Sequence, residues 1–411
     1  MTRLVLVTGG AGFIGSHLVD ALLARGDRVR VLDDFSTGRR ENLAHCLADI
    51  ELLEGDVRDP GLVGRAVAGC DGVLHEAAVA SVTRSLEDPI AADSVTHGGT
   101  VNVATLARRA GVGGFVLASS CAVYGDTDVL PIGEDAPPRP LSPYALAKLL
   151  SEGVCRSGAF GLADGLSEAL RGSSEVHDRV VGSGRHAPEE MRAVSLRYFN
   201  VYGPRQDPSS EYSGVIARFM DVAAARAAAR EARDTRAAAR EARDAPPGAR
   251  EAPPYVVFGD GRQSRDFVFV TDVVAANLLA LDACLQACGL DGPAGDGIVG
   301  PDVVGAVVNV GTGARVDLLQ IIAEIERLSG ERTAGSGAKA GAEAGGGARA
   351  AGPAAHGAPI EFRPAREGDI RASQADIARA RRLLGYEPAV GFADGLKATW
   401  EWYADRDGAA R

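Results

Sequence analysis

The 411-residue chain has the composition of a folded protein, with 46% hydrophobic residues and a mean hydropathy of −0.01. Its net charge of −11 disfavours a nucleic-acid partner, because such binding rests on basic patches that displace counterions. No apolar run approaches the roughly 18 residues of a bilayer span, so we expect no membrane insertion. Residues 1 to 3 lead directly into the apolar run 4 to 7, which predicts no signal peptide and a cytoplasmic location.

The cysteines form no CxxC pair and have no histidine at metal-ligand spacing. This spacing predicts free thiols and no metal site. Cys284 and Cys288 lie four residues apart in a predicted helix, and we interpret them as small core residues.

Short β-like runs alternate with helical stretches in the first third of the chain. The runs 4–7, 28–32, 72–74 and 115–118 are typical of buried parallel strands, helical patterns cover 14–25 and 101–110, and later runs at 193–196 and 307–310 extend the sheet. This alternation predicts an α/β fold, a doubly wound parallel sheet (Rossmann) with a smaller C-terminal α/β substrate-binding lobe. We assign residues 1–199 to the dinucleotide domain and 200–411 mainly to the lobe, with strand segments returning to the sheet.

Four stretches of biased composition interrupt this pattern and are interpreted as insertions. They cover residues 157–190, about 226–252, 286–305 and 334–358. The second contains RAAAREARD twice, which predicts a solvated surface helix, because alanine and arginine are good helix formers. The Gly-rich third and fourth are predicted to be flexible loops. No function is assigned to any of them.

A glycine-rich turn follows the first predicted strand and precedes the first helix. Residues 8 to 17 read TGGAGFIGSH. Glycines there permit a tight turn and let the backbone approach a pyrophosphate, whose charge then rests on amides at the helix N-terminus. The sequence therefore predicts a dinucleotide-binding loop.

A pair of carboxylates ends the second predicted strand. Asp33 stands 18 residues beyond Gly15 and is followed by Asp34. An acid at this place accepts hydrogen bonds from the adenosine ribose and repels a 2′-phosphate, so we predict NAD as the cofactor. NADP remains the alternative, because Arg39 and Arg40 follow nearby.

Tyr144 and Lys148 lie one helical turn apart and form a predicted acid/base unit. The lysine charge and an oxidised nicotinamide both favour the phenolate, which makes proton removal feasible. The chain has only three lysines among abundant arginines, which gives the lysine at this position added weight. Ser119 and Ser120 follow the predicted strand 115–118 and place hydroxyls at the carboxyl end of a parallel strand, where ligands bind.

Together these motifs resemble the extended short-chain dehydrogenase/reductase family, in particular its UDP-glucose 4-epimerase and UDP-N-acetylglucosamine 4-epimerase branch. The match also includes LDDFSTG, GDVRD, HEAA, SSCAVYG, SPYALAK, LRYFNVYGP, GDGRQSRDFVFVTDV, NVGTG and REGDIRAS, and leaves only the four insertions outside. The resemblance implies an NAD-dependent UDP-sugar 4-epimerase that works through a transient 4-keto intermediate. It implies Ser120, Tyr144 and Lys148 as catalytic residues and a homodimer packed through helices of the dinucleotide domain.

The resemblance also implies which residues contact the two ligands. Those expected to bind NAD are Gly9, Gly12, Phe13, Ile14, Gly15, Asp33, Asp34, Ser36, Thr37, Gly38, Asp56, Val57, Ala77, Ala78, Tyr144, Lys148 and Tyr198. Those expected to bind the UDP-sugar are Ala80, Ser81, Ser120, Tyr144, Phe199, Asn200, Val215, Arg265, Arg366, Asp369 and Ser373. Two arginines can neutralise a pyrophosphate through bidentate hydrogen bonds, which agrees with this assignment.

Two positions at which this chain differs from relatives indicate which reaction and which substrates to expect. Dehydratases carry Asp-Glu after the strand hydroxyl and decarboxylating relatives a glutamate at the second position, where this chain has Cys121 and Ala122. Ser373 replaces the tyrosine of glucose-restricted epimerases, which together with Ala80 and Ser81 indicates that N-acetylhexosamine nucleotides are accepted beside plain hexoses. A dehydrogenase or reductase that releases its cofactor each turnover and a non-catalytic dinucleotide-binding scaffold remain the alternatives.

Overall fold

The computed structural model describes residues 2–156, 191–207, 214–240, 253–288, 303–335, 359–365 and 370–409. The strands are β1 (Leu4–Thr8), β2 (Arg28–Asp33), β3 (Ile50–Glu54), β4 (Gly72–His75), β5 (Gly114–Ser120), β6 (Arg192–Tyr198), β7 (Asn200–Tyr202), β8 (Tyr255–Phe258), β9 (Ser264–Arg265), β10 (Phe267–Phe269), β11 (Val307–Val310), β12 (Val316–Asp317) and β13 (Ile360–Arg363). The helices are α1 (Phe13–Ala24), α2 (Pro60–Val67), α3 (Val82–Glu87), α4 (Pro89–Asp93), α5 (Gly99–Arg109), α6 (Pro143–Arg156), α7 (Val215–Arg240), α8 (Val270–Ala287), α9 (Leu318–Gly335), α10 (Ala378–Leu384) and α11 (Phe392–Ala409).

A seven-stranded sheet in the order β11-β6-β5-β4-β1-β2-β3 forms the centre of the fold. All six pairs of neighbouring strands are parallel. The strand order reverses between β1 and β4, and in such sheets ligands bind in the crevice outside the carboxyl ends of the strands at this point. The predicted doubly wound fold is confirmed.

Helices cover both faces of the sheet because its strands are apolar on both sides. In β1, Val5 and Val7 join one core with α1 and α8, while Leu4 and Leu6 join another with α2 and α5. Among the described residues α8 alone is long and apolar enough to cross a membrane, and 61% of it is buried inside the fold. Packing in the core therefore accounts for its composition.

The smaller lobe has its own core between α7, α9 and α11. Trp400 and Tyr403 are buried there with Phe219 and Tyr255, whose rings meet edge to face at 5.5 Å. The parallel pair β8 and β13 closes this core beside the sheet domain.

The prediction that the Ala/Arg-rich segment is a solvated insertion from residue 226 is wrong for its first turn. The segment is helical as far as residue 240, but it continues α7, and the Arg226 side chain is buried. Its Nε donates to Glu326 Oε1 at 2.7 Å, and the Tyr255 hydroxyl donates to the same oxygen at 2.9 Å. A buried guanidinium requires such partners, so this turn belongs to the core of the lobe.

The predicted bounds of two other insertions differ from the observed structure. Residues 286–287 still belong to α8, because no helix breaker occurs before Gly289, and residues 334–335 end α9. Val303 is buried and Gly305 N donates to Ala193 O at 2.8 Å, so the predicted loop is shorter than 286–305. Residues 157–190, 241–252, 289–302 and 336–358 lie outside the described residues.

Candidate active site

The glycine turn after β1 leaves the N-terminus of α1 open. Gly9 has φ +68°, and a Cβ there would lie 2.9 Å from Ala77 N, while a Cβ on Gly15 would lie 2.1 Å from Gly9 O. A Cβ on Gly12 would meet only Gly9 O, and within the described residues no side chain caps the helix. Unsatisfied amides in the first turn of α1, which itself contains no acidic residue, fit the negative charge of a pyrophosphate.

The Asp33 carboxylate lies directly beside this turn. It is buried, and its two oxygens accept hydrogen bonds from Ala11 N and Phe35 N, each at 2.8 Å. Burial raises the pKa of Asp33, and the two backbone donors lower it. Phe35 has a left-handed backbone with φ 56°, a strained conformation of the kind that clusters at functional sites. The remaining lone pairs of Asp33 fit ribose hydroxyls.

The structure brings together the three residues predicted to be catalytic. Tyr144 N donates to Ser85 Oγ at 3.1 Å, which fixes the start of α6, and Lys148 Nζ donates to Ala118 O of β5 at 2.6 Å. Ser120 ends β5, and its side chain lies within hydrogen-bonding reach of the Tyr144 hydroxyl. The phenol, hydroxyl and ammonium thus share the carboxyl end of the sheet.

The prediction that Lys148 and an oxidised nicotinamide together favour the phenolate of Tyr144 concerns the cofactor complex and stays a prediction. Burial raises the pKa of Tyr144 to about 12, because desolvation disfavours the phenolate more than the Ser120 hydrogen bond favours it. Burial also lowers the pKa of Lys148 to about 8, against the charges of Glu76 and Glu152, which raise it.

A buried ion pair behind the catalytic residues was not predicted. Arg197 of β6 donates from Nε and Nη2 to the two carboxylate oxygens of Glu152, each at 2.7 Å. Ser119 Oγ donates to the same carboxylate at 2.6 Å, and the Arg197 guanidinium lies 4.6 Å from the centre of the Tyr124 ring. An arginine near the end of a buried strand was the available signal for this pair.

Glu76, directly after β4, was also missed. Its Oε1 accepts a hydrogen bond from the Tyr198 hydroxyl at 2.8 Å, and Asn277 Nδ2 of α8 donates to that hydroxyl at 2.7 Å. Burial raises the pKa of Glu76 to about 7, while Tyr198 and Lys148 lower it. The carboxyl therefore lies beside Tyr198, a predicted cofactor residue.

Asp266 organises the part of the site predicted to bind substrate. It accepts hydrogen bonds from Thr312 N at 2.8 Å, Gly313 N at 2.9 Å and Ala375 N at 3.0 Å, and its own carbonyl accepts from Asn200 N at 3.0 Å. This buried carboxylate joins the NVGTG turn and Ala375 to the segment directly after Arg265. Asp266 lies within the GDGRQSRDFVFVTDV motif, but no local pattern in the sequence distinguishes it.

Ser373 lies against the strand that carries Arg265. Its N donates to Ser264 O at 3.1 Å. Its hydroxyl is buried and has no hydrogen-bond partner within the described part of the chain. Arg366 and Asp369, predicted to bind the diphosphate, lie outside the described residues.

The other predicted contacts occupy the crevice walls or its loops. Ser81 Oγ accepts from Arg84 N at 3.1 Å and caps α3, Phe199 is buried against Tyr124, and Asp56 pairs with Arg58. The remaining predicted residues begin α1 or α7 or follow β2, β3 or β4: Phe13, Ile14, Asp34, Ser36, Thr37, Gly38, Val57, Ala77, Ala78, Ala80 and Val215. Their ligand contacts stay predictions.

Two further features adjoin these elements. A surface cavity of about 390 Å³ beside Ser264 is lined by Arg262, Arg315 and Arg371. The only group of three potential metal ligands among the described residues is Asp20, His45 and Cys46. Asp20 already forms an ion pair with an arginine at 2.7 Å, so its charge is balanced without a metal.

Comparison with known proteins identifies the family. The family model for the NAD dependent epimerase/dehydratase family matches residues 5–162 and 178–287. A UDP-glucose 4-epimerase of Mycolicibacterium smegmatis is 35% identical over 98% of both chains. The UDP-glucose 4-epimerase of Thermotoga maritima, solved with UDP-glucose, is 28% identical, covers 98% of this chain and 99% of its own, and gives a TM-score of 0.68. The Thermus thermophilus UDP-glucose 4-epimerase complex with NAD is 29% identical over 97% and 98%, with a TM-score of 0.66. The cofactor is NAD, and the chain belongs to the NAD-dependent epimerase/dehydratase family.

Proposed function

We propose that the chain catalyses the 4-epimerisation of a UDP-hexose and retains its NAD throughout. The observation that carries this proposal is the convergence of Ser120, Tyr144 and Lys148 on the sheet edge that also carries the glycine turn. That arrangement combines a proton acceptor, a hydroxyl to align the substrate and a cation within one cleft.

Different residues of the chain would bind the cofactor and transfer the proton. Gly9, Gly12 and Asp33 would hold the dinucleotide through backbone amides and a carboxylate. When bound, NAD supplies the hydride acceptor and a positive ring, and the latter favours the phenolate of Tyr144. Tyr144 removes the proton of the sugar's 4-hydroxyl, directly or through Ser120. After the 4-keto sugar has rotated within the cleft and its opposite face has received the hydride back, Tyr144 returns the proton.

Substrate recognition rests on the opposite wall of the cleft. Arg265 and Asn200 would contact the uridine diphosphate, with Arg366 and Asp369 completing the contacts. The small, buried Ser373 hydroxyl supports acceptance of an acetamido group, because it leaves room and an unused hydrogen-bonding group. We therefore propose UDP-N-acetylglucosamine as a substrate beside UDP-glucose.

The residues after β5 argue against elimination and decarboxylation. Cys121 and Ala122 stand where those reactions require carboxylic acids. The Cys121 thiol is a poor substitute, because burial raises its pKa to about 12. A cofactor-releasing dehydrogenase is the remaining alternative, since it would use the same tyrosine and lysine.

The decisive experiment incubates the purified protein with UDP-glucose or UDP-N-acetylglucosamine, without added cofactor, and separates the C4 epimers. We expect both epimers to form and Tyr144→Phe to lower the rate by about 10²–10⁴-fold. Dependence of turnover on added NAD or NADPH would identify the dehydrogenase instead. Full activity of Tyr144→Phe would contradict the proposed proton transfer.

A homodimer is proposed from an apolar surface on neighbouring helices of the sheet domain. The exposed side chains on α3, α4 and α6 are Val82, Leu86, Ile90, Leu146 and Leu150, and Ile90 is 83% exposed. Exposed apolar patches of this kind mark protein interfaces. Light scattering should give twice the 42.4 kDa chain mass, and Ile90→Glu should give the single mass. A monomeric wild type would refute the proposal.

A further inference from the structure

Residues 203–207 join the substrate-binding lobe to the dinucleotide domain, and we call them the joining segment. They follow β7 directly. His17 Nε2 donates to Pro204 O at 3.0 Å, and the Arg205 guanidinium lies 2.7 Å from Asp20 Oδ2. His17 and Asp20 both belong to α1, which begins at the glycine turn. The segment therefore holds the lobe against the helix whose N-terminus is expected to bind the pyrophosphate.

The joining segment also contacts the ribose loop, residues 34–39 after β2. The Arg39 guanidinium donates to the carboxylate of Asp207. The backbone amide of Arg39 donates to Ala11 O of the glycine turn at 3.0 Å. Arg39 thus connects the lobe, the ribose loop and the glycine turn.

Asp20 provides a second connection at the far end of the ribose loop. Its Oδ1 accepts a hydrogen bond from His45 Nε2 at 2.8 Å, while its Oδ2 faces Arg205. His45 follows the ribose loop in the chain. The loop is therefore linked to the joining segment directly through Arg39 and, beyond its end, through His45 and Asp20.

Arg205 makes its contact from a strained backbone. Its φ is +66°, in the left-handed region that glycine adopts at lower cost. The next residue is held by the lobe, because the Tyr403 hydroxyl donates to Gln206 O and Gln206 Nε2 donates to Val201 O at 3.2 Å. The side chains of Arg205 and Asp20 are 20% and 31% exposed, so solvent screens their charges only in part. Strained residues cluster at functional positions, which distinguishes Arg205 within the segment.

We propose that Arg205 and Asp207 are positioning residues that hold α1 and the ribose loop together and thereby slow the release of NAD. The inference rests on the proposed function only for the retention of NAD through the reaction. The glycine turn and the ribose loop are the elements expected to enclose the adenosine half of NAD. Contacts that resist their separation raise the barrier to release, because charged hydrogen bonds must break when the loop moves.

The test measures how fast the holoenzyme releases NAD. The protein is loaded with radiolabelled NAD and diluted into an excess of unlabelled NAD, and the bound label is followed with time. We expect Arg205→Ala to raise the release rate about tenfold, because a hydrogen bond between charged groups is lost. Arg205→Lys keeps a positive charge beside Asp20 and should restore most of the slow release.

Two further variants and a matched control make the test decisive. Asp20→Asn leaves the backbone of Arg205 unchanged but removes the charge that it faces, so it should also speed release, and it decides the matter if Arg205→Ala does not fold. Asp207→Asn weakens the contact with Arg39 and should speed release as well. Arg381→Ala breaks an exposed pair with Glu387 and should leave the release rate unchanged.

Thermal unfolding of each apoprotein separates this role from a general loss of stability. We expect the release rate to follow the charge at residue 205, with Arg205→Ala fast and Arg205→Lys slow at similar Tm. A release rate that follows the apoprotein Tm instead, or wild-type release in both Arg205→Ala and Asp20→Asn, would overturn the inference. A wild type that exchanges its NAD at every turnover would refute the proposed retention alone, and the ratio of rates between variants would still test the role of Arg205.

Discussion

Replacing Arg197 by methionine should destabilise the protein strongly, because it leaves the Glu152 carboxylate buried without its counterion. The side chains of Arg197 and Glu152 are 2% and 0% exposed, and two hydrogen bonds of 2.7 Å join them. Breaking a buried pair by removing one partner costs about 3–5 kcal/mol. Ser119 still donates to the carboxylate at 2.6 Å, and Arg156 lies 3.5 Å away, so we expect the low end, about 3 kcal/mol.

Removing both charges should restore part of this loss, about 1 of the roughly 3 kcal/mol. In Arg197→Met with Glu152→Leu, the remaining costs are an unsatisfied Ser119 hydroxyl and the lost contact of the guanidinium with the Tyr124 ring, about 1 kcal/mol each. A double-mutant cycle should therefore give a coupling of about 2 kcal/mol or more between Arg197 and Glu152.

The measurement is urea unfolding followed by far-ultraviolet circular dichroism, with the midpoint and slope determined for each variant. Arg363→Met, which breaks the exposed pair with Glu361, is the matched control and should show no measurable change. If Arg197→Met unfolds at the wild-type midpoint, or if the double variant is less stable than either single variant, the pair is not a buried counterion arrangement.

Three further expectations concern ligands and pH. Ser373→Tyr should raise KM for UDP-N-acetylglucosamine about tenfold or more, because the phenol fills the proposed acetamido space. UDP-glucose should still be epimerised, and equal kinetics for both substrates would disprove this. Above pH 8 turnover should fall about tenfold per pH unit as Lys148, with its pKa of about 8, loses its proton, and a flat profile to pH 10 would exclude that role. Asp33→Asn should lower the Kd for NADP relative to the Kd for NAD, because the like charge facing a 2′-phosphate is gone. Fluorescence titration measures both constants, and an unchanged ratio would show that Asp33 does not select the cofactor.

The sequence was sufficient to predict the parallel sheet and those site residues that lie close together along the chain. The glycine turn, Asp33 and the pair Tyr144 and Lys148 are each recognised within one strand or one helical turn, where spacing determines geometry. Glu76 could not be placed in this way. Its hydrogen bond joins it to Tyr198, 122 residues later, and that contact exists only because β4 and β6 flank β5 in the sheet.

Burial explains the other differences between sequence and structure. The sequence shows that a lysine is near Tyr144, but it does not show that the site is desolvated, and desolvation raises the pKa of Tyr144 in the chain alone. The same reasoning applies to Arg226, whose repeat has the composition of a solvated helix although its first arginine is enclosed by Glu326 and Tyr255.

These buried groups share one physical consequence for catalysis. The chain by itself keeps Tyr144 protonated and offers Lys148 only weak support for its charge, since burial opposes both ionised forms. Further positive charge in the cleft favours the phenolate, so we expect the bound, oxidised cofactor to make Tyr144 a better base, which favours proton removal in the complex able to accept the hydride.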